Sequence, residues 1–388
     1  MSELFRLKGQ IKHYDWGGFT FIPGLLQVSN ADEKPFAEYW MGIHPQGPAE
    51  LIDEKGKVSS LIDQAPQLSF LLKLLDVRDM LSIQVHPNKE MAEIDFKREN
   101  DLGIPLDSPT RNYKDPNHKP ELMIALSEFW LLHGFRSADS LSQIFQQHSF
   151  LEPLKREWEV SGYAGLYKWI MELPQQEVNE LLAAPMADLV NQYHQGQLGK
   201  SDPRFWAARA HLNFSKNGEV DRGIISVFLF NLIRLEIGEG IFQGAGVPHA
   251  YLEGQNVEIM ANSDNVLRGG LTPKHIDVAE LLRHVRPEPI DPHILRPLPD
   301  ADGVLKYPAP VSDFSIQSIR LNKGECHPIC VDRPVILLVP EGRLEVRSKE
   351  SKLLLGPPEL GGFLGENVHT DLVALEPTQL FIASGHKQ

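Results

Sequence analysis

The pattern of apolar residues changes twice along the chain, and this change limits the possible folds more than any other feature of the sequence. Residues 1–136 read mostly as short strands and loops separated by Pro and Gly, and the same texture returns after residue 218. Residues 137–218 instead carry apolar side chains three and four positions apart, which predicts helices. We therefore expect a mainly β protein in which a helical insertion, 137–218, interrupts a β domain formed by 1–136 and 219–290.

The C-terminal part, residues 291–388, predicts a second β domain. A Pro-rich stretch, RHVRPEPIDPHILRPLPDADG, resembles a linker and precedes short strands such as PVILLVP and QLFIASG. Two local predictions complete this outline: a helix around IISVFLFNLIRL and a hairpin through Gly254–Asn256.

The charge balance excludes some classes of partner. Lys and Arg number 38 against 52 Asp and Glu, a net charge of −14, so we expect no cationic face for nucleic acid or an anionic membrane. No run approaches the roughly 20 apolar residues of a membrane-spanning helix, and the N-terminus lacks the pattern of a secretory signal. We expect a soluble, cytoplasmic monomer. Its two cysteines, Cys326 and Cys330, would stand about 13 Å apart on one strand, too far for a disulfide.

The segment MLSIQVHP alternates apolar and polar residues, as a strand with two different faces does. The apolar face holds Leu81, Ile83 and Val85, and the other holds Met80, Ser82, Gln84 and His86. Gln84 and His86, two residues apart, suit two ligands of one cation. A half-exposed strand with polar groups in water is the alternative interpretation.

The segment ELMIAL begins with a carboxylate in an otherwise apolar strand. Burying Glu121 is costly unless a cation or hydrogen bonds compensate its charge, and Lys119 is close in sequence. The alternative is a glutamate at a strand end, in water.

Two further segments carry polar side chains. In GAGVPHAYLEG, His249 and Tyr251 share one face of a strand, although a buried histidine without a ligand role would look the same. The stretch VEIMANSDNVLRGGLTPK crowds charges around a Gly-rich turn, which is typical of a solvated loop or of a phosphate site. These charged residues are Glu258, Asp264, Arg268 and Lys274.

Four of these side chains fit one zinc ion. Gln84, His86, Glu121 and His249 offer an amide oxygen, a carboxylate and two imidazoles, with room for water or substrate. A divalent ion with one carboxylate leaves a positive site, which favours an anionic sugar phosphate or a developing enolate oxygen. The cations that could supply further positive charge are Lys73, Lys119, Arg268 and Lys274.

Several long motifs in a fixed order resemble the type I mannose-6-phosphate isomerases, the zinc-dependent phosphomannose isomerases of the cupin superfamily. The matching motifs are YDWGG, EYWMGIHPQGPA, LLKLLDVRDMLSIQVHPNKEMA, DPNHKPELMIAL and GVPHAYLEGQNVEIMANSDNVLRGGLTPKHID. The resemblance implies a cupin-type jelly-roll catalytic barrel and a cupin-like C-terminal domain. It also implies one Zn²⁺ per chain, a sugar-phosphate substrate and a place in carbohydrate metabolism, in the biosynthesis of GDP-mannose.

The resemblance also assigns residues. The family's metal ligands fall on Gln84, His86, Glu121 and His249, and its essential arginine falls on Arg268. Substrate-binding positions fall on Lys73, Ser82, Lys119, Tyr251, Glu258, Asp264, Arg268, Lys274 and Trp16.

The implied reaction interconverts mannose 6-phosphate and fructose 6-phosphate by proton transfer through a cis-enediol. We expect Glu258 to be the base, with Lys119 or a metal-bound water as the alternative, and Arg268 to stabilise charge, because a guanidinium makes a poor base. Two other functions use the same residues. His86, Glu121 and His249 alone would form the triad of an Fe(II) cupin oxygenase, and a non-catalytic sugar-phosphate-binding bicupin needs no proton carrier.

Overall fold

The computed structural model of the chain describes residues 4–349 and 351–385. Nine α-helices lie in this part of the chain: α1 Phe21–Leu26, α2 Leu61–Gln64, α3 Lys89–Asp101, α4 Ala138–Gln147, α5 Glu152–Glu172, α6 Gln175–His194, α7 Pro203–Phe214, α8 Ile224–Leu229 and α9 Val278–His284. None of the helices in these ranges is both long enough and apolar enough to cross a membrane.

The strands of the same ranges fall into three stretches of sequence. Before α4 lie β1 Leu4–Lys8, β2 Gln10–Lys12, β3 Glu38–Gly42, β4 Glu50–Ile52, β5 Val58–Ser60, β6 Phe70–Val77, β7 Gln84–Val85, β8 Glu121–Ala125 and β9 Phe129–Phe135. After α8 lie β10 Phe230–Leu235, β11 Gly240–Gln243, β12 His249–Ala261, β13 Leu267–Arg268 and β14 Ile294–Leu295. The C-terminal strands are β15 Val304–Tyr307, β16 Ser315–Leu321, β17 Cys326–Val331, β18 Val335–Glu341, β19 Leu344–Arg347, β20 Lys352–Leu355, β21 Gly361–Leu364, β22 Val368–Ala374 and β23 Thr378–Ser384.

The main sheet has eleven strands, and β12 is its central element. The path β14-β11-β8-β12-β6-β3-β2 is antiparallel throughout, and β7, β9, β10 and β13 complete the sheet. The second half of β12 pairs with β6 and β8, whereas its first residues pair with β7 and β9. The change of partners curves the sheet and brings β6, β7 and β8 around one strand.

The two-residue period of the strands gives this sheet an apolar face and a charged face. On β6, Leu72 and Leu74 pack into the core shared with the second sheet, and Lys73 points the other way. Leu122 and Ile124 of β8 do the same, so Glu121 lies on the face of Lys73, as the pattern of ELMIAL predicts.

The second sheet joins strands from both ends of the chain. Its order is β15-β16-β23-β18-β21-β1-β4-β5, and a third sheet, β17-β22-β19-β20, covers it. The strands predicted in PVILLVP and QLFIASG are confirmed as β18 and β23. Because N-terminal strands complete this sheet, the pairing does not define domain limits. The boundaries 1–136 with 219–290, 137–218 and 291–388 stay predictions, and residues 386–388 lie outside the described ranges.

Helices α4 to α7 form the predicted insertion and share one core with the edge of the main sheet. Their buried side chains include Phe145, Tyr167 and Trp206, which cluster with Phe135 of β9 and Phe230 of β10. The predicted helices are confirmed, and so is the mainly β architecture with a helical insertion.

The helices α1, α2 and α3 lie in the region that reads mostly as strands and loops, and α3 is the longest of them. Helix α3 occupies Lys89–Asp101, and the Asn88 side chain caps it by accepting a hydrogen bond of 2.8 Å from the Met91 amide. An Asn in front of a polar, Glu-containing segment was the available start signal.

The segment IISVFLFNLIRL is only half helical, so that prediction was wrong beyond Leu229. The helix α8 ends at Leu229, and Phe230–Leu235 forms β10, which pairs with β9. A short apolar run fits a buried helix or a buried strand equally well, and the tertiary pairing decides between them.

The predicted hairpin through Gly254–Asn256 is also wrong, because β12 runs through these residues without a turn. Gly254 has a φ of 132°, and a Cβ there would lie 2.7 Å from the Glu128 carbonyl oxygen. The pairing with β9 shifts register between Tyr251 and Glu253. The glycine therefore lets the strand bend and lets its backbone lie close to the Glu128 carbonyl.

In MLSIQVHP only Gln84–Val85 forms a ladder, and the strict alternation fails at its start. Met80, predicted on the polar face, is buried with Ile83 and Val85. The Leu81 amide donates to the Tyr251 carbonyl at 2.8 Å, and the Ile83 amide donates to the Gly270 carbonyl at 3.1 Å. The segment therefore crosses between two parts of the chain and is not one regular strand.

Candidate metal centre and active site

The charged face of the main sheet brings three ligand-type side chains to one point. His86 Nε2 lies 3.5 Å from Glu121 Oε1, and His249 Nε2 lies 3.4 Å from Glu121 Oε2. One ligand atom from each of the three residues lies within 4.8 Å of the others, and all three residues are buried. Ligands about 2.0–2.2 Å from a tetrahedral zinc stand about 3.4 Å apart, so this spacing fits one ion.

The hydrogen bonds of the two histidines orient them as ligands. His86 Nδ1 lies 2.9 Å from the Asn265 carbonyl oxygen, and His249 Nδ1 lies 2.9 Å from that of Val247. A carbonyl only accepts, so each Nδ1 carries a proton and each Nε2 is the ring nitrogen available to a metal. Within the described ranges, both buried Nε2 atoms lack a hydrogen-bond partner, and burial lowers the pKa of His86 to about 4. Two buried imidazoles whose Nε2 atoms have no hydrogen-bond partner among the described residues fit a divalent cation.

Gln84 reaches this group through strand register. It stands directly opposite His249 of β12 and opposite Arg268 of β13. Residues opposite each other in antiparallel strands share a face, so both Gln84 and Arg268 lie on the side of His249. The four predicted ligands therefore lie together. Distances between ligand atoms show this for His86, Glu121 and His249, and strand register shows it for Gln84.

Glu121 is held as an anion. Lys119 Nζ lies 2.9 Å from its Oε1. Burial raises the pKa of Glu121, but the charge of Lys119 opposes burial, and the pKa lies well below its usual value. A carboxylate that is ionised before a metal arrives is a suitable ligand.

A second buried network lies on the same face. Lys73 Nζ is 3.0 Å from Glu258 Oε1 and 3.5 Å from Glu38 Oε2, and the Tyr251 hydroxyl donates to Glu258 Oε2 at 2.8 Å. Burial opposes the charge of Lys73, but Glu258 and Glu38 outweigh it and raise the pKa of that ammonium. Burial raises the pKa of Glu258, against the opposing effect of Lys73. Glu258 is thus a carboxylate of increased basicity, next to a tyrosine that stays protonated because burial and Glu258 raise its pKa.

Other predicted residues lie at the edges of the site. The Asp264 Oδ2 atom is 3.2 Å from His44 Nε2, and the hydrogen bond and charge of His44 outweigh burial and lower the pKa of Asp264. Trp16 stacks on Tyr14 and packs against the apolar cluster that contains Tyr251. Ser82 is half-buried, two residues before Gln84.

Arg268 and Lys274 form the positive edge of the site. Arg268 is half-buried, and no ion pair of either side chain is found in the part of the chain that the structure describes. Burial lowers the pKa of both, and the charge of Arg268 lowers that of Lys274 further. Lys274 is exposed, whereas the three ligands that cluster are buried.

Sequence reasoning missed several residues of this site. Glu38 lies on the Lys73 face of β3 and opens an apolar strand, the same signal that identified Glu121. His44 and Asn265 had no such signal, since their roles depend on partners distant in sequence. His133, opposite His249, was missed for the same reason; its Nδ1 lies 2.7 Å from Gln243 Oε1.

A second group of ligand-type side chains lies outside the site. It contains Asp95, Glu280 and His284. Arg98 and Arg283 each pair with both carboxylates, so cations already balance this cluster. It is a network that joins α3 to α9 and a poor site for another cation.

The chain matches a known family over its first third. Residues 4–138 match the model of the type I phosphomannose isomerase catalytic domain. Mannose-6-phosphate isomerase of Salmonella typhimurium is 35% identical over 381 residues, covering 93% of this chain and 94% of that protein. The Escherichia coli enzyme is 36% identical over 392 residues, covering 93% and 95%.

Solved structures agree over the full length. A zinc-bound mannose 6-phosphate isomerase has a TM-score of 0.85 at 31% identity, with 100% of both chains covered. The Salmonella typhimurium enzyme bound to fructose 6-phosphate and zinc gives the same values. The expected cupin-type fold is therefore confirmed, and neither the oxygenase nor the binding protein is favoured. The chain belongs to the type I phosphomannose isomerases, the zinc-dependent aldose–ketose isomerases that interconvert mannose 6-phosphate and fructose 6-phosphate.

Proposed function

We propose that the site described above interconverts mannose 6-phosphate and fructose 6-phosphate in this chain, with a single base carrying the proton between carbons 1 and 2. The observation that carries this proposal is the convergence of His86, Glu121 and His249, with both Nε2 atoms free, beside the buried carboxylate of Glu258.

Gln84, His86, Glu121 and His249 would hold one Zn²⁺. When bound, the ion would supply Lewis acidity for the negative charge that develops during proton transfer. Lys119 keeps Glu121 ionised through its 2.9 Å ion pair. The carbonyl groups of Asn265 and Val247 keep both imidazoles in the ligand tautomer.

Glu258 is the base in this proposal. Its carboxylate takes the proton from carbon 2 of the open aldose, which leaves the cis-enediolate with its negative charge on oxygen 1. The hydroxyl proton of oxygen 2 then moves to oxygen 1 through the cis-enediol, and Glu258 returns its proton to carbon 1 on the same face, which gives the ketose. Burial raises its pKa, which makes it a stronger base, while Lys73 and Tyr251 fix both oxygens of the carboxylate. Lys119 is the alternative carrier, because its ammonium lies beside the ligand carboxylate.

The remaining residues bind substrate. Arg268, opposite Gln84, stabilises negative charge on the reacting oxygens. Lys274, an exposed cation six residues after Arg268, contacts the phosphate. Hydroxyl groups of the sugar contact the polar side chains along the wall of the site, Ser82, Tyr251, Asp264 and Lys73, and the ring of Trp16 lies at the edge.

A coupled assay tests substrate and metal together. We expect fructose 6-phosphate to form from mannose 6-phosphate, to stop after chelation and to resume when zinc is restored. An enzyme loaded with zinc that forms no fructose 6-phosphate contradicts the proposal. Oxygen consumption measured in parallel distinguishes an oxygenase, since an isomerase works anaerobically.

Substitution of Arg268 tests its role in catalysis. Arg268→Ala should lower turnover by about 10²–10³-fold, the usual effect of removing one preorganised donor to a developing oxyanion, and should leave bound zinc unchanged. Lys274→Ala is the comparison, because loss of a phosphate contact should mainly raise KM. Normal turnover in Arg268→Ala, measured at saturating substrate, would refute the assignment.

A cytoplasmic monomer completes the proposal. Cys326 and Cys330 are both exposed and unpaired, which suits a reducing compartment. Light scattering on the purified chain tests the monomer, and fractionation of the source cells tests the location.

A further inference from the structure

Asn265 lies in the Gly-rich segment between β12 and β13 and is completely buried. A buried amide offers two donors and an acceptor with two lone pairs, and leaving these groups unpaired is costly. The partners of this side chain therefore show which parts of the chain it holds.

All the hydrogen bonds of the Asn265 side-chain amide go to one short segment, residues 114–117. Its Oδ1 accepts from the Lys114 amide at 2.7 Å and from the Asp115 amide at 3.4 Å. Its Nδ2 donates to the carbonyl oxygens of Asp115 and Asn117, at 2.7 and 2.8 Å, and to Asp115 Oδ1 at 3.3 Å. This segment leads directly into Lys119 and Glu121.

The main chain of the same residue holds a different segment. The Asn265 carbonyl accepts from His86 Nδ1, although the two residues are 179 positions apart. Arg268 follows three residues later in β13, opposite Gln84. One buried residue thus contacts the segments that carry two of the proposed ligands and lies next to the segment of the arginine.

We propose that Asn265 is a positioning residue for the zinc centre: its side chain sets the path of the chain into Glu121, and its carbonyl sets the orientation of His86. The proposal rests on the ligand set given above. Groups that orient metal ligands from behind typically change metal affinity 10–100-fold when removed.

Zinc binding tests this role apart from turnover. In Asn265→Ala, the zinc dissociation constant, measured by competition with a chromophoric chelator, should rise about 10–100-fold. The visible spectrum of the Co²⁺-substituted variant should shift, because a displaced imidazole changes the ligand geometry. Asn265→Asp keeps the two accepted bonds but sets a carboxylate oxygen against the carbonyl oxygens of Asp115 and Asn117, so its zinc affinity should also fall below that of the wild type.

Asn262→Ala is the matched control. Asn262 lies three residues earlier, and its side chain donates at 2.7 Å to the Leu68 carbonyl, a bond to neither of the segments that Asn265 holds. This variant should bind zinc like the wild type. If it loses as much affinity as Asn265→Ala at equal loss of melting temperature, the effect is general destabilisation and the proposal is wrong.

Two outcomes separate this inference from the proposed function. Unchanged zinc affinity and an unchanged Co²⁺ spectrum in Asn265→Ala and Asn265→Asp overturn the positioning role even if the enzyme isomerises mannose 6-phosphate. A zinc-binding wild type without turnover overturns the function and leaves the comparison of zinc affinities valid. If Asn265→Ala does not fold, Asn265→Asp decides by the same two measurements.

Discussion

His86→Ala is expected to lose both bound zinc and turnover. The imidazole is completely buried, its Nε2 atom has no partner in the described ranges, and it lies 3.5 Å from Glu121. Without this imidazole, Gln84, Glu121 and His249 remain, and the metal loses one of its two nitrogen ligands. Lewis-acid stabilisation is worth several kcal/mol, and about 4 kcal/mol corresponds to a ~10³-fold loss of turnover. Metal analysis and the coupled assay on the same sample measure both effects.

His284→Ala is the control for this experiment. It removes another buried imidazole, one that contacts Tyr113 and lies in the Asp95–Glu280 network outside the site. We expect this variant to be less stable and to retain its zinc. Full zinc content and normal turnover in His86→Ala would contradict the proposed ligand set.

Glu258→Gln is expected to lower turnover by about 10²–10⁴-fold while zinc is retained, the range typical of a lost general base. The amide keeps the size of the side chain and a hydrogen bond to Lys73 or Tyr251, but it cannot accept the proton from carbon. In deuterium oxide, the wild type should introduce solvent deuterium at the exchanged carbon, and the variant should not. Rapid exchange in the variant would favour Lys119 as the carrier.

The pH dependence of the wild type gives a second test of Glu258. The base must be ionised to act, and burial raises its pKa. The value of kcat/KM should therefore decline as the pH falls through this raised pKa, at a higher pH than for an ordinary glutamate. Glu38→Gln is the control, because it removes the other carboxylate on Lys73 and leaves the base in place. Equal losses of turnover in Glu258→Gln and Glu38→Gln would indicate that the lost ion pairs with Lys73, and not lost proton transfer, explain the effect.

Local patterns in the sequence predicted the parts of this protein that depend on neighbouring residues. The face of a strand side chain follows from a period of two, so Glu121 was correctly placed opposite Leu122 and Ile124. Helices α4 to α7 followed from their three- and four-residue spacing. The same signal, a glutamate that opens an apolar strand, also marks Glu38 in β3.

Predictions failed where the chain meets distant segments. The apolar run at Phe230 became a strand because β9 was available to pair with it, and Gly254 became a bend because Phe129 and the Glu128 carbonyl lie against it. The residue types and their spacing predicted a zinc set of Gln84, His86, Glu121 and His249 but left a half-exposed polar strand as the alternative for MLSIQVHP. The resemblance to a family placed that family's ligands on the same four residues.

The sequence by itself determined the order of β and helical regions, the faces of the strands and the types of ligand available. Only the tertiary structure decided that His86, Glu121 and His249 meet, that Lys73 pairs with Glu258 from 185 residues away, and that Asn265 holds two ligand segments. The reason is physical: alternation and helical spacing are set by backbone geometry over a few residues. The register between distant strands is set by the packing of whole sheets, which no short segment encodes.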